Sequence, residues 1–326
     1  VAFYDIPSNN VWVYKCVDVS CTLGATMHPV DLTPGVNKGG GPAITIGADG
    51  APLVVYRDNT NNMVKVAKCN DSRCATTTPV AMGQPAGGNF RGAVGFNPIG
   101  LPAIAYKSAT QLIMYGTCAN VACSGGFSTT PIQVPANIWM DVVMSIPADG
   151  KPVIAYGDLN TDELKVVKCS NDGCNGSNTI TTLPATTSNV SMDLAIGTDT
   201  FPVLAFDDGG IRVIKCSTAD CSGSISNNPI GSGSLYGGPA IAIGADGFPV
   251  VAFYNDVNGQ VRVAKCGNAS CSTVTSESAI GPGFAQQSID PRIAIKVPPD
   301  GMPVVAYSSH GILYVVKCSN ARCAGP

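Results

Sequence analysis

The stretch Ala240-Ile-Ala-Ile-Gly-Ala-Asp-Gly-Phe-Pro-Val-Val-Ala-Phe253, continued by Tyr254-Asn-Asp-Val-Asn-Gly-Gln-Val-Arg-Val-Ala-Lys-Cys266, holds three short runs of branched aliphatic residues, each closed by turn residues. Runs of this length and composition predict strands rather than helices. They are A (Ile241 to Gly244), B (Pro249 to Phe253) and C (Val261 to Cys266), and a Thr/Ser-rich run after Cys271, from Ser272 to Ile280, is a weaker fourth strand, D. Asp246-Gly247 supplies the positive-φ tolerance of a tight A–B hairpin. Pro249 then opens strand B, where a missing N–H is tolerated. The B run is apolar at successive positions, whereas a sheet with one wet face would alternate. Strands covered on both faces read this way.

The same unit recurs along the chain. Asp49-Gly50-Ala51-Pro52, Asp149-Gly150-Lys151-Pro152 and Asp300-Gly301-Met302-Pro303 repeat the turn, while Ile99-Gly100-Leu101-Pro102 and Asp199-Thr200-Phe201-Pro202 keep the proline and alter the turn. Every C strand ends on a Cys-x4-Cys pair: Cys16/Cys21, Cys69/Cys74, Cys118/Cys123, Cys169/Cys174, Cys216/Cys221, Cys266/Cys271 and Cys318/Cys323. The first cysteines lie 53, 49, 51, 47, 50 and 52 residues apart. A period of this size means a repeat array. Four antiparallel strands per repeat predict an all-β, seven-bladed β-propeller occupying residues 1–326 as a single domain. Packing of blade against blade also explains why only 13% of residues are charged, against about a quarter in ordinary domains. No apolar run approaches the roughly 20 residues of a membrane-spanning helix.

The cysteine pairs flank short hairpin loops, so they are expected to face one another across paired strands and form one bridge per blade. Their spacing does not suit zinc, and there is no haem-attachment motif. A chain with no cysteine left over implies an oxidising compartment, extracellular or at the cell surface. Val1-Ala-Phe-Tyr4 matches strand B and the chain stops just after Cys323, so the first blade is expected to lack strand A and the last to lack strand D. Val1 falls inside a repeat, as a mature or trimmed product would. Those incomplete blades raise a reading of self-association into a surface or filament subunit.

Blade geometry puts the A–B and C–D turns on one rim and the B–C and D–A connections on the other. The second rim varies between repeats and is where binding is expected. Its candidate ligand residues are Phe90, Arg91, Trp139, Asp141, Tyr236, Asp290 and Arg292. Asp141 and Asp290 also form the conceivable carboxylate pair of a polysaccharide hydrolase or lyase. His28 and His310 are the only histidines and stand in different repeats, so no Ser-His-Asp triad is supported. Asp residues closing the B strands are read as turn caps. Asp158-x-Asn160-x-Asp162 resembles the start of a calcium loop without its glycine and distal glutamate, and no cofactor is expected. Lys15, Lys68, Lys168, Lys215, Lys265 and Lys317 precede the first cysteine in their repeats. They are read as gatekeepers rather than as an anion-binding ring. With a net charge of −3 there is no basic excess for nucleic acid. Asn70, Asn175, Asn189 and Asn268 begin Asn-x-Ser sequons.

The units Asp-Gly-x-Pro-Val-[Val/Ile]-Ala-[Tyr/Phe] and [Leu/Val/Ile]-[Lys/Arg]-Val-x-Lys-Cys-x4-Cys resemble the repeats of secreted microbial seven-bladed propeller proteins over the whole chain. The resemblance implies a lectin-like architecture with ligand sites on or between blades. The sialidase Asp-box is absent. The expected function is a non-enzymatic extracellular recognition or adhesion module whose partner is a glycan or cell-surface polymer.

Overall fold

The computed structural model describes residues 1–326 apart from 19–20, 22, 40, 88–90, 133–137, 186–190, 233–237, 256, 282–291, 310 and 324–326, and the side chains of 84 and 138–141. The described residues form an all-β protein of seven antiparallel sheets, the blades of a β-propeller. They fall into two compact units, residues 1–18, 22–160 and 167–179 in the first and 19–21, 161–166 and 180–326 in the second.

In the first unit, sheet one runs β1 (Ala2–Asp5), β2 (Asn10–Cys16), β3 (Ala25–Pro29), and sheet two runs β4 (Ala43–Ile46), β5 (Pro52–Asp58), β6 (Met63–Cys69), β7 (Thr77–Pro85). Sheet three follows with β8 (Ala93–Phe96), β9 (Pro102–Lys107), β10 (Ile113–Cys118) and β11 (Phe127–Pro131). Sheet four, β12 (Ile138–Ser145), β13 (Val153–Asp158), β14 (Glu163–Lys168) and β15 (Thr179–Leu183), is where the division between the units falls. The second unit continues with sheet five, β16 (Met192–Ile196), β17 (Pro202–Asp207), β18 (Ile211–Cys216), β19 (Ile225–Gly231). Sheet six is β20 (Ala240–Ile243), β21 (Pro249–Asn255), β22 (Gln260–Cys266), β23 (Val274–Ala279), and sheet seven is β24 (Ile293–Lys296), β25 (Val304–Ser309), β26 (Ile312–Lys317). Among the described residues, sheets one and seven are three-stranded.

Sheet six shows why the B run is apolar throughout. Val250, Ala252 and Tyr254 pack into a core shared with Ile295, Val305 and Tyr307 of sheet seven. Val251 and Phe253 pack the other way, with Val203, Ala205 and Val213 of sheet five. Successive side chains of a strand point to opposite faces, and here each face meets a neighbouring blade. Six B-strand aromatics, Tyr56, Tyr106, Tyr156, Phe206, Phe253 and Tyr307, are among the largest fully buried side chains.

The disulfides form one per blade, but not across paired strands. Six bridges join the expected partners from Cys69–Cys74 to Cys318–Cys323, and Cys16 and Cys21 are also disulfide-bonded. The hairpin register pairs Cys266 with Val274 and Cys216 with Ile225, so the second cysteine lies inside the loop. All seven second cysteines have positive φ, from 50° to 59°. The loop is held by Asx-type bonds such as Arg73 N–H to Asp71 Oδ1, 2.7 Å, and Ser272 N–H to Asn268 Oδ1, 3.1 Å. The bridges also pack into the cores between blades: Cys266 and Cys271 belong to the core shared with sheet five, and Cys118 and Cys123 to the core shared with sheet two. Strand D explains its hydroxyl and amide content here. Thr181 Oγ1 donates to Asp220 O at 2.7 Å, Asn228 Nδ2 to Ser270 O at 2.8 Å and Ser276 Oγ to Arg322 O at 3.0 Å, each tying one blade to the cysteine loop of the next.

Five of the six lysines before the cysteines are neither edge gatekeepers nor a free positive ring; the sixth, Lys15, is exposed. Lys68, Lys168, Lys215 and Lys265 are buried and pair with the turn aspartates Asp49, Asp149, Asp199 and Asp246 at 2.8–2.9 Å; Lys317 pairs with Asp300. Each aspartate also accepts the backbone N–H two residues on, as Asp246 Oδ1 does from Phe248 at 3.1 Å. Burial raises the Asp246 carboxyl, but the bonds from Lys265 and Phe248 outweigh it and hold it below its ordinary value. Blade three lacks both partners, with Ile99 in the aspartate position and Thr117 in the lysine position. Among the blades that have an A–B turn, the pair is therefore kept or lost together. Asp246→Asn, which strands a buried ammonium, is expected to cost about 2 kcal/mol, and Lys265→Thr a similar amount. The double variant should cost at least about 1 kcal/mol less than the sum. Strict additivity in urea melts would contradict the pairing.

Candidate functional site

The residues singled out from sequence are only partly described. Phe90, Tyr236 and Asp290 lie outside the described residues. Trp139 and Asp141 sit in β12, where the register with β13 shifts between Ile138 and Val142, and their side chains lie outside the description. Arg91 is half-buried and Arg292 exposed.

The described part of the same rim shows a polar assembly over the first two blades. The D–A connection between them, residues 30–42, meets both B–C turns there. Arg57 Nη1 donates to Asn59 Oδ1 at 3.0 Å, Asn59 Nδ2 to Asn37 Oδ1 at 3.2 Å, and Asn37 Nδ2 to Asn9 Oδ1 at 3.2 Å, a one-way relay of hydrogen bonds across the rim. The Tyr4 hydroxyl bridges Asn9 Oδ1 at 3.0 Å and Asn37 Oδ1 at 3.3 Å. Asn37 is anchored by the Thr60 hydroxyl accepting its N–H at 2.9 Å, and its Oδ1 accepts Gly39 N–H at 3.0 Å. Gly39 cannot be replaced without movement, because an added Cβ would lie 2.6 Å from the Tyr4 ring. Asn9 and Asn62 close their turns with φ of 50° and 57°, a conformation asparagine tolerates better than most residues. The second Arg57 amino group donates to Asn62 Oδ1.

Beneath this surface lies a charged cluster. Asp31 is 1% exposed and accepts from Tyr56 OH at 2.8 Å, Lys65 Nζ at 3.0 Å, Thr33 N–H at 2.9 Å and Thr33 Oγ1 at 2.6 Å. Lys65 also pairs with buried Asp58 at 3.3 Å. Burial pushes the Asp31 carboxyl up, but the bonds from Thr33, Lys65 and Tyr56 prevail and lower it to about 2. Burial beside Asp31 raises the Tyr56 hydroxyl well above its ordinary value.

Four of the strand-closing aspartates are turn caps, as read from sequence; Asp256 lies outside the described residues. Asp5, Asp58, Asp158 and Asp207 accept the N–H of Ser8, Asn61, Asn160 and Gly210 at 2.9–3.3 Å. Among the described residues no group of three acidic, histidine or cysteine side chains converges as a metal site, and no helix is long and apolar enough to cross a membrane.

Sequence reading missed Asn9, Arg57, Asn59 and Asp31. The register, Tyr4 opposite Val11 and Arg57 opposite Val64, matches Tyr4 with Arg57 and Tyr254 rather than with the buried B-strand aromatics. The usable signal was variability inside a regular repeat: this position reads Tyr4, Arg57, Lys107, Gly157, Asp207, Tyr254 and Ser308 beside a nearly constant aromatic.

No family model and no curated protein sequence matches the chain. Solved structures do. The chain is similar to a mutant of AofleA from Arthrobotrys oligospora, at 10% identity over 88% of each chain with a TM-score of 0.61. It is similar to the Hadza microbial sialidase Hz136, at 12% identity over 85% of this chain and 65% of that one with a TM-score of 0.56. It is also similar to the fucose-specific lectin from Aleuria aurantia, at 12% identity over 85% of this chain and 90% of that one with a TM-score of 0.52. At these identities the likeness establishes the fold, which serves both binding proteins and enzymes.

Proposed function

We propose that this propeller is a secreted, non-enzymatic glycan-binding module. The observation that carries this reading is the surface relay of Tyr4, Asn9, Asn37 and Asn59. Amides supply both donors and acceptors at fixed spacing, which is what vicinal sugar hydroxyls need, and the Tyr4 ring offers an apolar edge. Preorganisation supports it further: every relay side chain is already held by a neighbour, so little ordering entropy is lost on binding. A lectin among the structural neighbours agrees with it. So do the disulfides, which imply an oxidising compartment. The regular rim offers less, because its lysines and aspartates neutralise one another.

The test is a glycan array with the purified protein, with Asn59→Ala alongside. Asn59 is exposed, so its loss should leave the fold intact. At least one glycan class should bind, and the variant should weaken that binding about tenfold, the equivalent of about 1.4 kcal/mol. An array with no hits, or hits untouched by Asn59→Ala, refutes binding at this rim.

A further inference from the structure

We infer that the glycan recognised over blades one and two is acidic, bound through a carboxylate that pairs with Arg57 and is drawn in by Lys38; this rests on the glycan-binding reading above. Four of the six buried lysines among the described residues, and half-buried Lys65, pair with carboxylates. Lys68, Lys168, Lys215 and Lys265 each have a turn aspartate, and Lys65 has two carboxylates. Two cations at this rim break the pattern. Lys38, adjacent to Asn37, is 5% exposed and has no carboxylate within ion-pair distance among the described residues. Arg57 has none either; its neighbour Asp58 is committed to Lys65 and Asn61.

Arg57 is bonded only to neutral amides. Nη1 and Nη2 each donate one N–H, to Asn59 and Asn62, and Nε is buried without an acceptor among the described residues. Burial lowers the guanidinium from its ordinary value, yet arginine keeps its charge at any physiological pH. The clamp therefore holds a charged fork in one orientation with donors unspent, and a planar carboxylate matches such a fork.

The turn itself does not need the arginine. Blades four and six, like blade two, leave four residues between strands B and C, with Gly157 and Tyr254 at this position. An arginine there is a property of this blade rather than of the fold. Since the relay runs from Arg57 to Asn59 to Asn37, one sugar residue can be held by the amides while its carboxylate meets the guanidinium.

The experiment is direct binding of uronate-, sialate- and sulfate-bearing oligosaccharides, the carboxylated ones paired with their methyl esters, to the wild type, Arg57→Gln and Lys38→Met. At low salt a carboxylated glycan should bind at least tenfold tighter than its ester. Arg57→Gln should erase that difference, and Lys38→Met should shrink it. Equal affinity for acid and ester overturns this inference and leaves the glycan reading standing. Preference for the sulfated ligand alone overturns the carboxylate assignment. Binding of none of them, neutral glycans included, overturns both. Circular dichroism checks each variant's fold, and Arg57→Lys, which keeps charge without the fork, should retain the salt dependence but lose most of the selectivity.

Discussion

Full reduction is expected to unfold the protein, and the order in which bridges open should follow their burial. Each bridge closes a short loop, worth about 2 kcal/mol in chain entropy. Seven of them approach the about 5–15 kcal/mol by which folded domains exceed their unfolded chains. They are also shielded. Cys69, Cys74, Cys118, Cys123, Cys169, Cys174, Cys216, Cys221, Cys266 and Cys271 are each 1% exposed, Cys318 and Cys323 are 6% and 7%, and Cys16 and Cys21 are more exposed still. A thiolate must reach the sulfur it attacks. Timed dithiothreitol treatment with differential alkylation should therefore label Cys16 and Cys21 first, Cys318 and Cys323 next, and the remaining ten only with cooperative loss of the β-sheet signal. Simultaneous labelling of all 14 cysteines in folded protein, or a fully reduced form with an unchanged melting curve, would refute this account.

Most of the architecture was legible because the repeat states it many times over. Val250 to Phe253 carry no alternation, and a strand without alternation must be covered twice; the cores on either side of sheet six bear that out. What escaped was whatever depends on distance between repeats. Lys265 and Asp246 are 19 residues apart and share no local pattern, so the lysine reads as an edge charge until the hairpin brings it to the turn. The position of Cys271 inside the loop was hidden for a different reason: spacing alone cannot separate a bridge across strands from one within a turn, and the backbone angle decides it. The site was the least legible part. Asn37 stands out in the sequence only as part of an irregular connection, and its partners Asn9 and Asn59 come from two other turns.

Asp31 is expected to be the most sensitive single position in the first unit. Its carboxylate gathers the Tyr56 hydroxyl, the Lys65 ammonium and two groups of Thr33 in a place that water does not reach. Asp31→Ala leaves a buried tyrosine hydroxyl without its acceptor and a lysine with one carboxylate instead of two. A loss of about 3–5 kcal/mol is expected, because an uncompensated buried group costs more than the pair contributed. Asp31→Asn keeps an acceptor for Tyr56 and should cost about half as much. The pH dependence separates charge from shape. Asp31 titrates at about 2 in the folded chain against 3.8 ordinarily. Its contribution is thus complete above the ordinary value and is lost as pH falls through the folded one, because there the unfolded chain binds the proton more readily. Urea midpoints of wild type and Asp31→Asn should therefore stay a constant distance apart from neutral pH down to about pH 4, then converge. A gap that persists unchanged below that point would mean that Asp31 acts through its shape and hydrogen bonds alone. If so, Lys65 would owe its place to Asp58, and Lys65→Met should then be no more costly in the wild type than in Asp31→Asn.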